Sequence, residues 1–188
     1  RSGHTLSFVG GFNYMLYGGI ADSKNGHVGT VDDVYFMKIG SNDVTWTKET
    51  VMGDEKPVAR SQHIAISTGA KNDRVFIFGG HYDPKTRLND TWFFNVKDME
   101  WSRVGGEKDN LTNAASTIGA PGPRANAGAI LYENKIYLHG GHGGTSFSRI
   151  SFNDMFVFDL ETEKWEKIIP NPGTPIPDGR GGHSVLAF

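Results

Sequence analysis

The stretch NDRVFIFGGHYDP (residues 72–84) decides the fold, because an apolar run ends there in two glycines and polar turn residues follow. The same order occurs in FVGGFNYMLYGGIADS (8–23) and in NKIYLHGGHGGTS (134–146). The glycine pairs begin at positions 18, 79 and 140, so successive pairs are 61 positions apart both times. Self-similarity at a fixed period is the signature of a repeat architecture.

Each unit carries further features in a constant order. An Asp and an apolar run follow each glycine pair: DDVYFMKI (32–39), NDTWFFNV (89–96) and NDMFVFDL (153–160). A tryptophan comes next, and a proline and an arginine then open the following unit: PVARSQH (57–63), PGPRANA (121–127) and PDGRGGH (177–183). The repeat units are therefore 1–59, 60–123, 124–179 and the beginning of a fourth, 180–188.

Every unit is predicted to contain four short β segments, because no helical periodicity lasts ten residues. A four-stranded antiparallel unit is a propeller blade. The paired glycines after an aromatic-rich strand, the spaced aromatic and Trp, and the opening Arg-x-x-His resemble the kelch repeat family, of the interaction-module rather than the oxidase type. The third unit departs from that pattern, with Ala127 in place of the histidine. The resemblance implies an all-β, kelch-type β-propeller with three four-stranded blades plus the first strand of a fourth, within a six-bladed ring.

Residues 1–188 are interpreted as a single, partial propeller domain. Three blades are fewer than the roughly four to eight that close a ring. An open set of blades would expose strand edges and apolar faces. We therefore expect the missing blades to come from the rest of a longer chain or from a second copy.

The glycine pairs are interpreted as structural, because glycine permits positive φ and close backbone approach after a strand. Neither the phosphate-binding loop nor the dinucleotide fingerprint, which use glycines at other spacings, is present. The structural residues of the repeat are Gly18, Gly19, Gly79, Gly80, Gly140, Gly141, Trp46, Trp101 and Trp165. The tryptophans are expected in the core with Phe78, Tyr137 and Phe158, and the repeated Asp33, Asp90 and Asp154 are expected to cap turns.

One face of the domain is predicted to bind a partner. The connections from the second to the third strand of each unit are long (20–32, 81–88 and 142–152), and a polar insertion (105–122) emerges on the same face. Long loops on a rigid scaffold usually carry binding function. In kelch substrate adaptors the Arg-Ser step and the side chain after the glycine pair line the peptide-binding surface. The resemblance, together with the loop positions, gives these candidates: Arg60, Ser61, Arg124, Arg180, His81, Tyr82, His142 and Phe147.

The expected ligand is a peptide, acidic or phosphorylated, because arginine forks suit carboxylates and phosphates. In the alternative interpretation, each arginine joins neighbouring blades by bonding loop carbonyls. Histidines at equivalent positions are expected to lie about one blade width apart, roughly 10 Å. That separation is too large for a shared metal ion, so no metal is expected.

The composition narrows the function classes. A formal net charge of −2 without a basic stripe argues against nucleic acid as a partner, and no apolar run is long enough to span a membrane. The absence of cysteine excludes thiol chemistry and favours a cytoplasmic location. We expect a non-catalytic adaptor or scaffold without a cofactor. The alternatives are a non-redox kelch-ring enzyme, such as an iron-assisted lyase or a sugar epimerase, and a cytoskeletal cross-linker.

Overall fold

The structure is a computed structural model that describes residues 1–11, 13–22, 28–104, 119–144 and 148–187. The described strands form three four-stranded antiparallel sheets and two short hairpins. The first sheet has the order β1-β2-β5-β6, with β1 Thr5–Phe8, β2 Asn13–Tyr17, β5 Val34–Ile39 and β6 Val44–Lys48. Among the described residues, no helix is long and apolar enough to cross a membrane.

The other two sheets repeat this topology. The second comprises β7 Ile64–Thr68, β8 Arg74–His81, β9 Arg87–Asn95 and β10 Glu100–Val104. The third comprises β11 Gly128–Tyr132, β12 Lys135–His139, β15 Met155–Asp159 and β16 Lys164–Ile168. The predicted all-β organisation, with one four-stranded sheet per repeat, is confirmed.

Two details of the prediction are wrong. The predicted first strand of a fourth sheet is absent, since residues 180–187 form no strand. In the three sheets the first strand pairs only with the second strand of its own unit, and residues 180–187 contain no second strand with which a first strand could pair. The connections predicted as loops also contain β-structure, in two hairpins: β3 Ile20–Asp22 with β4 Val28–Thr30, and β13 His142–Gly144 with β14 Arg149–Ser151.

The core lies between successive sheets because alternate residues of each strand face opposite sides. In β8, Val75 and Ile77 pack toward the first sheet, whereas Phe76 and Phe78 pack toward the third. A tryptophan from each following sheet completes the packing. The rings of Tyr17 and Trp101 are 4.8 Å apart between centroids, and those of Phe78 and Trp165 are 5.0 Å apart.

Trp46 and Tyr137 depart from the predicted core. Trp46 is 49% exposed, whereas Trp101 is 4% exposed. The repeated tryptophan packs on the preceding sheet, and the described residues include no sheet before the first one. Tyr137 is half-buried because Ile136 and Leu138, its neighbours in β12, fill the core shared with the second sheet.

Backbone hydrogen bonds join each repeat to the next where the glycine pairs lie. The second glycine of each pair donates its N–H to the carbonyl of the arginine that opens the following unit, as between Gly80 and Arg124 at 2.9 Å. The first glycine, Gly79, has φ +65°, and a Cβ there would lie 2.6 Å from the Arg124 carbonyl oxygen. Only glycine allows this approach without displacing the neighbouring repeat.

Candidate functional site

The residue after each glycine pair is placed by a backbone bridge. Isolated antiparallel bridges pair Ile20 with Ser2, His81 with Ser61 and His142 with Ala125. The residue after the repeated arginine thus lies beside the residue after the glycine pair in every unit. The structure therefore brings Ser61 and His81 together, two of the predicted partner-binding residues.

Arg60 and Arg124 are not available to a partner in this structure, contrary to the prediction. Their exposed fractions are 0% and 2%. Arg60 donates two hydrogen bonds of 2.7 Å to the Asp90 carboxylate and one of 3.0 Å to the Gly79 carbonyl. Arg124 bonds Asp154 and the Gly140 carbonyl in the same way. The alternative interpretation, in which each arginine joins neighbouring blades, fits in part. The guanidinium bonds an aspartate and a glycine carbonyl of its own unit, and the backbone carbonyl of the same arginine accepts the N–H of the second glycine of the preceding unit.

Burial disfavours the charged forms of Arg60 and Asp90, and the attraction between the two opposite charges offsets this effect. Burial alone would raise the pKa of Asp90, but the Arg60 guanidinium outweighs it and holds that pKa below its ordinary value. Burial would likewise lower the pKa of Arg60, and Asp90 reverses the direction. The predicted role of Asp90 and Asp154 as turn caps therefore gives way to paired charges. The sequence does contain a signal for this pairing, since both arginines precede their aspartates by 30 positions.

Arg180 and Phe147 are two further residues that were predicted to contact a partner. Arg180 is exposed, and its Nε donates to the Asp178 carbonyl at 3.0 Å. It opens the fourth unit, and residues 180–187 contain no aspartate. Phe147 lies outside the described residues, so its predicted contact with a partner stays a prediction.

A pocket of about 760 Å³ opens between the first and second repeats. One wall is the β3–β4 hairpin, and the opposite wall is the segment that follows the second glycine pair. Thr30 joins these walls, because its hydroxyl donates to the Tyr82 carbonyl at 2.7 Å. The lining residues are Ile20, Val28, Gly29, Thr30, Ala59, Ser61, Gln62, His81, Tyr82, Asp83 and Pro84.

The lining combines apolar surface with a few polar groups. Val28 and Tyr82 are exposed at 68% and 38%, whereas the Ser61 side chain is buried. Three predicted partner-binding residues, Ser61, His81 and Tyr82, therefore lie in one concave site. Ligand pockets of proteins commonly have such a composition.

Two arginines that the sequence interpretation missed lie beyond His81. Arg87 stands directly opposite His81 in the β8–β9 pairing. The rings of His81 and His142 are 5.6 Å apart, and Arg149 donates from Nη2 to His142 Nδ1 at 3.0 Å. A cross-strand position opposite a predicted site residue is a signal that could have identified Arg87.

The histidine pair also corrects the expected spacing. The two rings, one at the last residue of β8 and the other at the first residue of β13, lie closer than a blade width. Burial, followed by the positive charge of Arg87, lowers the pKa of His81 to about 4. The pKa of His142 is lowered by burial and then by Arg149. Among the described residues, no three histidine, aspartate or glutamate side chains are grouped so as to hold a metal ion.

Comparison with known proteins gives consistent relatives. The alpha chain of the flagellar outer-arm dynein of Chlamydomonas reinhardtii is 30% identical over 190 residues, which cover 100% of this chain and 4% of that protein. Host cell factor of Drosophila melanogaster is 28% identical over 210 residues, covering 100% of this chain and 13% of its own length. Human leucine-zipper-like transcriptional regulator 1 is 27% identical over 88% of this chain and 18% of its own. The chain thus spans only a small part of these relatives.

A solved structure and a family model agree with that picture. The structure of YjhT matches with a TM-score of 0.68 at 19% identity, over 97% of this chain and 55% of that one, which supports the fold. The model of the KLHDC2/KLHL20/DRC7 Kelch-repeats domain matches residues 3–188. The chain therefore belongs to the kelch-repeat family and forms part of a kelch β-propeller.

Proposed function

We propose that this domain is a non-catalytic protein-interaction module that binds a peptide segment in the pocket between its first and second repeats. The observation that supports the proposal is the joint placement of Ser61, His81 and Tyr82 in a concavity of about 760 Å³. That volume lies within the range of roughly 300–1,000 Å³ typical of ligand sites. The pocket is bounded by a hairpin and a loop whose sequences do not follow the repeat pattern. The shape of the pocket can therefore be specific for one partner.

Selection of peptides from a displayed random library tests this function directly. A pocket-blocking variant is available in Gly29→Leu, because a Cβ at Gly29 meets no atom within 4 Å and its φ is not positive. The matched control is Gly122→Leu, whose Cβ position is equally open and lies outside the pocket. Peptides that bind the parent protein and the control but not Gly29→Leu support the proposal. Enriched peptides that bind Gly29→Leu equally well, or a library that yields none, would refute it.

Elemental analysis of the purified protein distinguishes the enzyme alternative from the binding module. A binding module should purify without stoichiometric iron, whereas an iron-assisted enzyme should retain it. Quantification of bound metals after purification without chelators makes the comparison.

The cytoskeletal alternative has a specific observation in its favour. Two relatives are named as dynein components, the outer-arm alpha chain and subunit 7 of the dynein regulatory complex of Chlamydomonas reinhardtii. A role in filament-associated assemblies predicts co-sedimentation of this domain with microtubules or actin filaments. Co-sedimentation that Gly29→Leu leaves unchanged would assign the assembly role to another surface.

We infer that further blades cover the open face that carries Trp46. The strand positions equivalent to buried Val75 and Ile77 are occupied there by Tyr14 and Leu16, so this face is apolar like the one packed in the second sheet. Light scattering of the purified chain distinguishes the sources of those blades. A stable species of twice 20.6 kDa indicates closure by a second copy, whereas a monomer or a heterogeneous aggregate indicates closure by a longer polypeptide.

A further inference from the structure

The β3–β4 hairpin has one strand edge whose backbone groups point away from the hairpin. Ile20 lies opposite Thr30, and both backbone groups of Ile20 are bonded to Ser2, at 2.7 and 3.0 Å. Ile20 and Thr30 therefore exchange no hydrogen bonds, so the N–H and C=O of Thr30 point away from β3. Because such pairs alternate along an antiparallel ladder, the same groups of Val28 point the same way. We call this row of backbone groups the β4 edge.

The corresponding edge in the third repeat is covered by the chain itself. Ser151 occupies the position of Thr30, because the residues that follow these two both donate their N–H to the second glycine of the repeat. Gly179 lies so close to the Ser151 carbonyl that a Cβ on this glycine would overlap with the oxygen. Ala59 occupies the position of Gly179 in the first repeat, and its Cβ prevents the same approach. The β4 edge is therefore not covered in this way.

The β4 edge borders the pocket of the proposed peptide site. All three residues of β4, Val28, Gly29 and Thr30, line the pocket, and β3 contributes Ile20. The pocket thus lies along the β4 side of the hairpin. The Thr30 hydroxyl anchors the hairpin to the opposite wall through its bond to the Tyr82 carbonyl at 2.7 Å. This bond holds the edge in place before a ligand binds, which lowers the entropic cost of binding.

The lining favours an uncharged ligand with apolar side chains. Val28 and Tyr82 expose apolar surface that a ligand would remove from water. The pKa of His81 is lowered to about 4, so its ring is neutral at pH 7, and Arg87, whose charge contributes to that shift, is not a lining residue. Among the described residues that line the pocket, Asp83 alone is then charged. Asp83 would repel an acidic group, whereas a neutral segment meets no opposing charge.

His81 provides a polar atom that lacks a partner. Its Nε2 atom is buried and forms no hydrogen bond with a described residue. Buried polar atoms are almost always paired, and an unpaired one costs free energy. In either tautomer of the neutral ring this atom forms a hydrogen bond, as donor or as acceptor. The main chain of a peptide carries both donors and acceptors, so a bound peptide can satisfy it.

We propose that the pocket binds an extended, uncharged and apolar segment of a partner protein, which adds to the β3–β4 hairpin as a third strand along the β4 edge. The inference rests on the peptide-binding function proposed above and specifies how the peptide is held. Main-chain hydrogen bonds to Val28 and Thr30 fix the segment, and alternate side chains point into the pocket. An edge of this length pairs with about three ligand residues, at roughly 3.3 Å per residue.

Methylation of single backbone nitrogens of the ligand tests the strand pairing. The probe is the tightest-binding peptide among those that bind the parent protein and Gly122→Leu but not Gly29→Leu. Fluorescence anisotropy measures the dissociation constant of each methylated peptide. We expect losses of about tenfold at every second nitrogen of the bound segment and small losses between them, because alternate N–H groups of an added strand face the β4 edge. Losses without this period of two would overturn the pairing.

A change in the protein tests the same hydrogen bonds from the other side. Val28→Pro removes one donor of the β4 edge, and proline is tolerated at the first residue of an edge strand. We expect the probe to bind about tenfold more weakly to this variant. Val28→Thr is the matched control, because it keeps the N–H and the β-branched shape. Equal affinity of the two variants would contradict the proposal, and if Val28→Pro does not fold, the methylation series decides alone.

The added strand and the peptide-binding function can fail separately. Pocket-dependent peptides that show neither the period of two nor sensitivity to Val28→Pro would remove the added strand and leave the interaction module. An acidic residue required within the bound segment would likewise overturn the ligand chemistry proposed here. A library without any pocket-dependent peptide would remove the proposed function and the added strand together.

Discussion

Replacing Gly79 by alanine should lower the free energy of unfolding by about 2–4 kcal/mol. An L-residue in the left-handed region costs roughly 1–2 kcal/mol, and Gly79 has φ +65°. The new Cβ would lie 2.6 Å from the Arg124 carbonyl oxygen, a distance that real Cβ atoms do not show. That oxygen accepts the Gly80 N–H, so relief of the contact also weakens a buried hydrogen bond worth about 1 kcal/mol.

Urea unfolding followed by tryptophan fluorescence measures this loss, because Trp101 and Trp165 are buried between sheets. Gly29→Ala is the control, since its Cβ meets no neighbour and its φ is not positive. We expect this variant to stay within about 0.5 kcal/mol of the parent. A loss below about 1 kcal/mol for Gly79→Ala, or an equal loss for Gly29→Ala, would contradict the proposed role of the glycine pair.

The other repeats extend the same test. A Cβ at Gly18 would lie 2.5 Å from the Arg60 carbonyl oxygen, and one at Gly140 would lie 2.6 Å from that of Arg180. Gly18→Ala should therefore cost as much as Gly79→Ala. Gly140→Ala should cost less, because the exposed segment around Arg180 forms no strand and is able to move away.

Three further changes probe burial and charge. Burial lowers the pKa of His63 to about 3, so between pH 6 and 4 the unfolded chain binds a proton at this residue that the folded chain does not bind. His63 should therefore reduce the free energy of unfolding by about 1.4 kcal/mol for each unit that the pH falls in this range, and His63→Gln should lower the pH slope by that amount in urea unfolding at each pH. Trp101→Ala should cost about 3–5 kcal/mol and Trp46→Ala less than about 1, since 49% of Trp46 is already exposed; equal losses in thermal unfolding would argue against an open first face. Arg124→Met should cost about 3–5 kcal/mol by leaving Asp154 unpaired, and the double variant with Asp154→Leu should recover most of that loss in a double-mutant cycle.

The sheets were predictable because their signals are local. Alternation of apolar residues, as in Val75 to Phe78, and a turn after each glycine pair fix strand positions within a single repeat. The β13–β14 hairpin was not predictable, because Gly143 and Gly144 interrupt any alternation. The exposure of Trp46 was equally inaccessible, since burial of that side chain depends on a neighbouring sheet and not on its own repeat.

The candidate site was predictable in part. His81, Tyr82 and Ser61 were identified from their positions after the glycine pair and the arginine, and the structure places all three in one pocket. For Arg60, the repeat pattern and the family resemblance predict contact with a ligand, and for Asp90 the pattern predicts a turn cap, whereas the structure pairs the two side chains with each other. Arg60 and Asp90 are 30 positions apart, so their pairing depends on the three-dimensional arrangement of the strands within the repeat and not on a local sequence pattern.

The arginines that open the first three units share one structural role. Arg1, Arg60 and Arg124 occupy the same position in successive units, and each binds the aspartate and the glycine carbonyl of its own unit. A residue that recurs in every unit serves a contact that every unit must make, so it cannot distinguish one partner from another. Arg87 and Arg149 do not make this repeated contact. They lie in hairpins and loops that differ between repeats in length and sequence. Under the proposed function, selectivity for a partner would therefore reside in these unrepeated positions rather than in the repeated arginines, whose charges are already paired with aspartates.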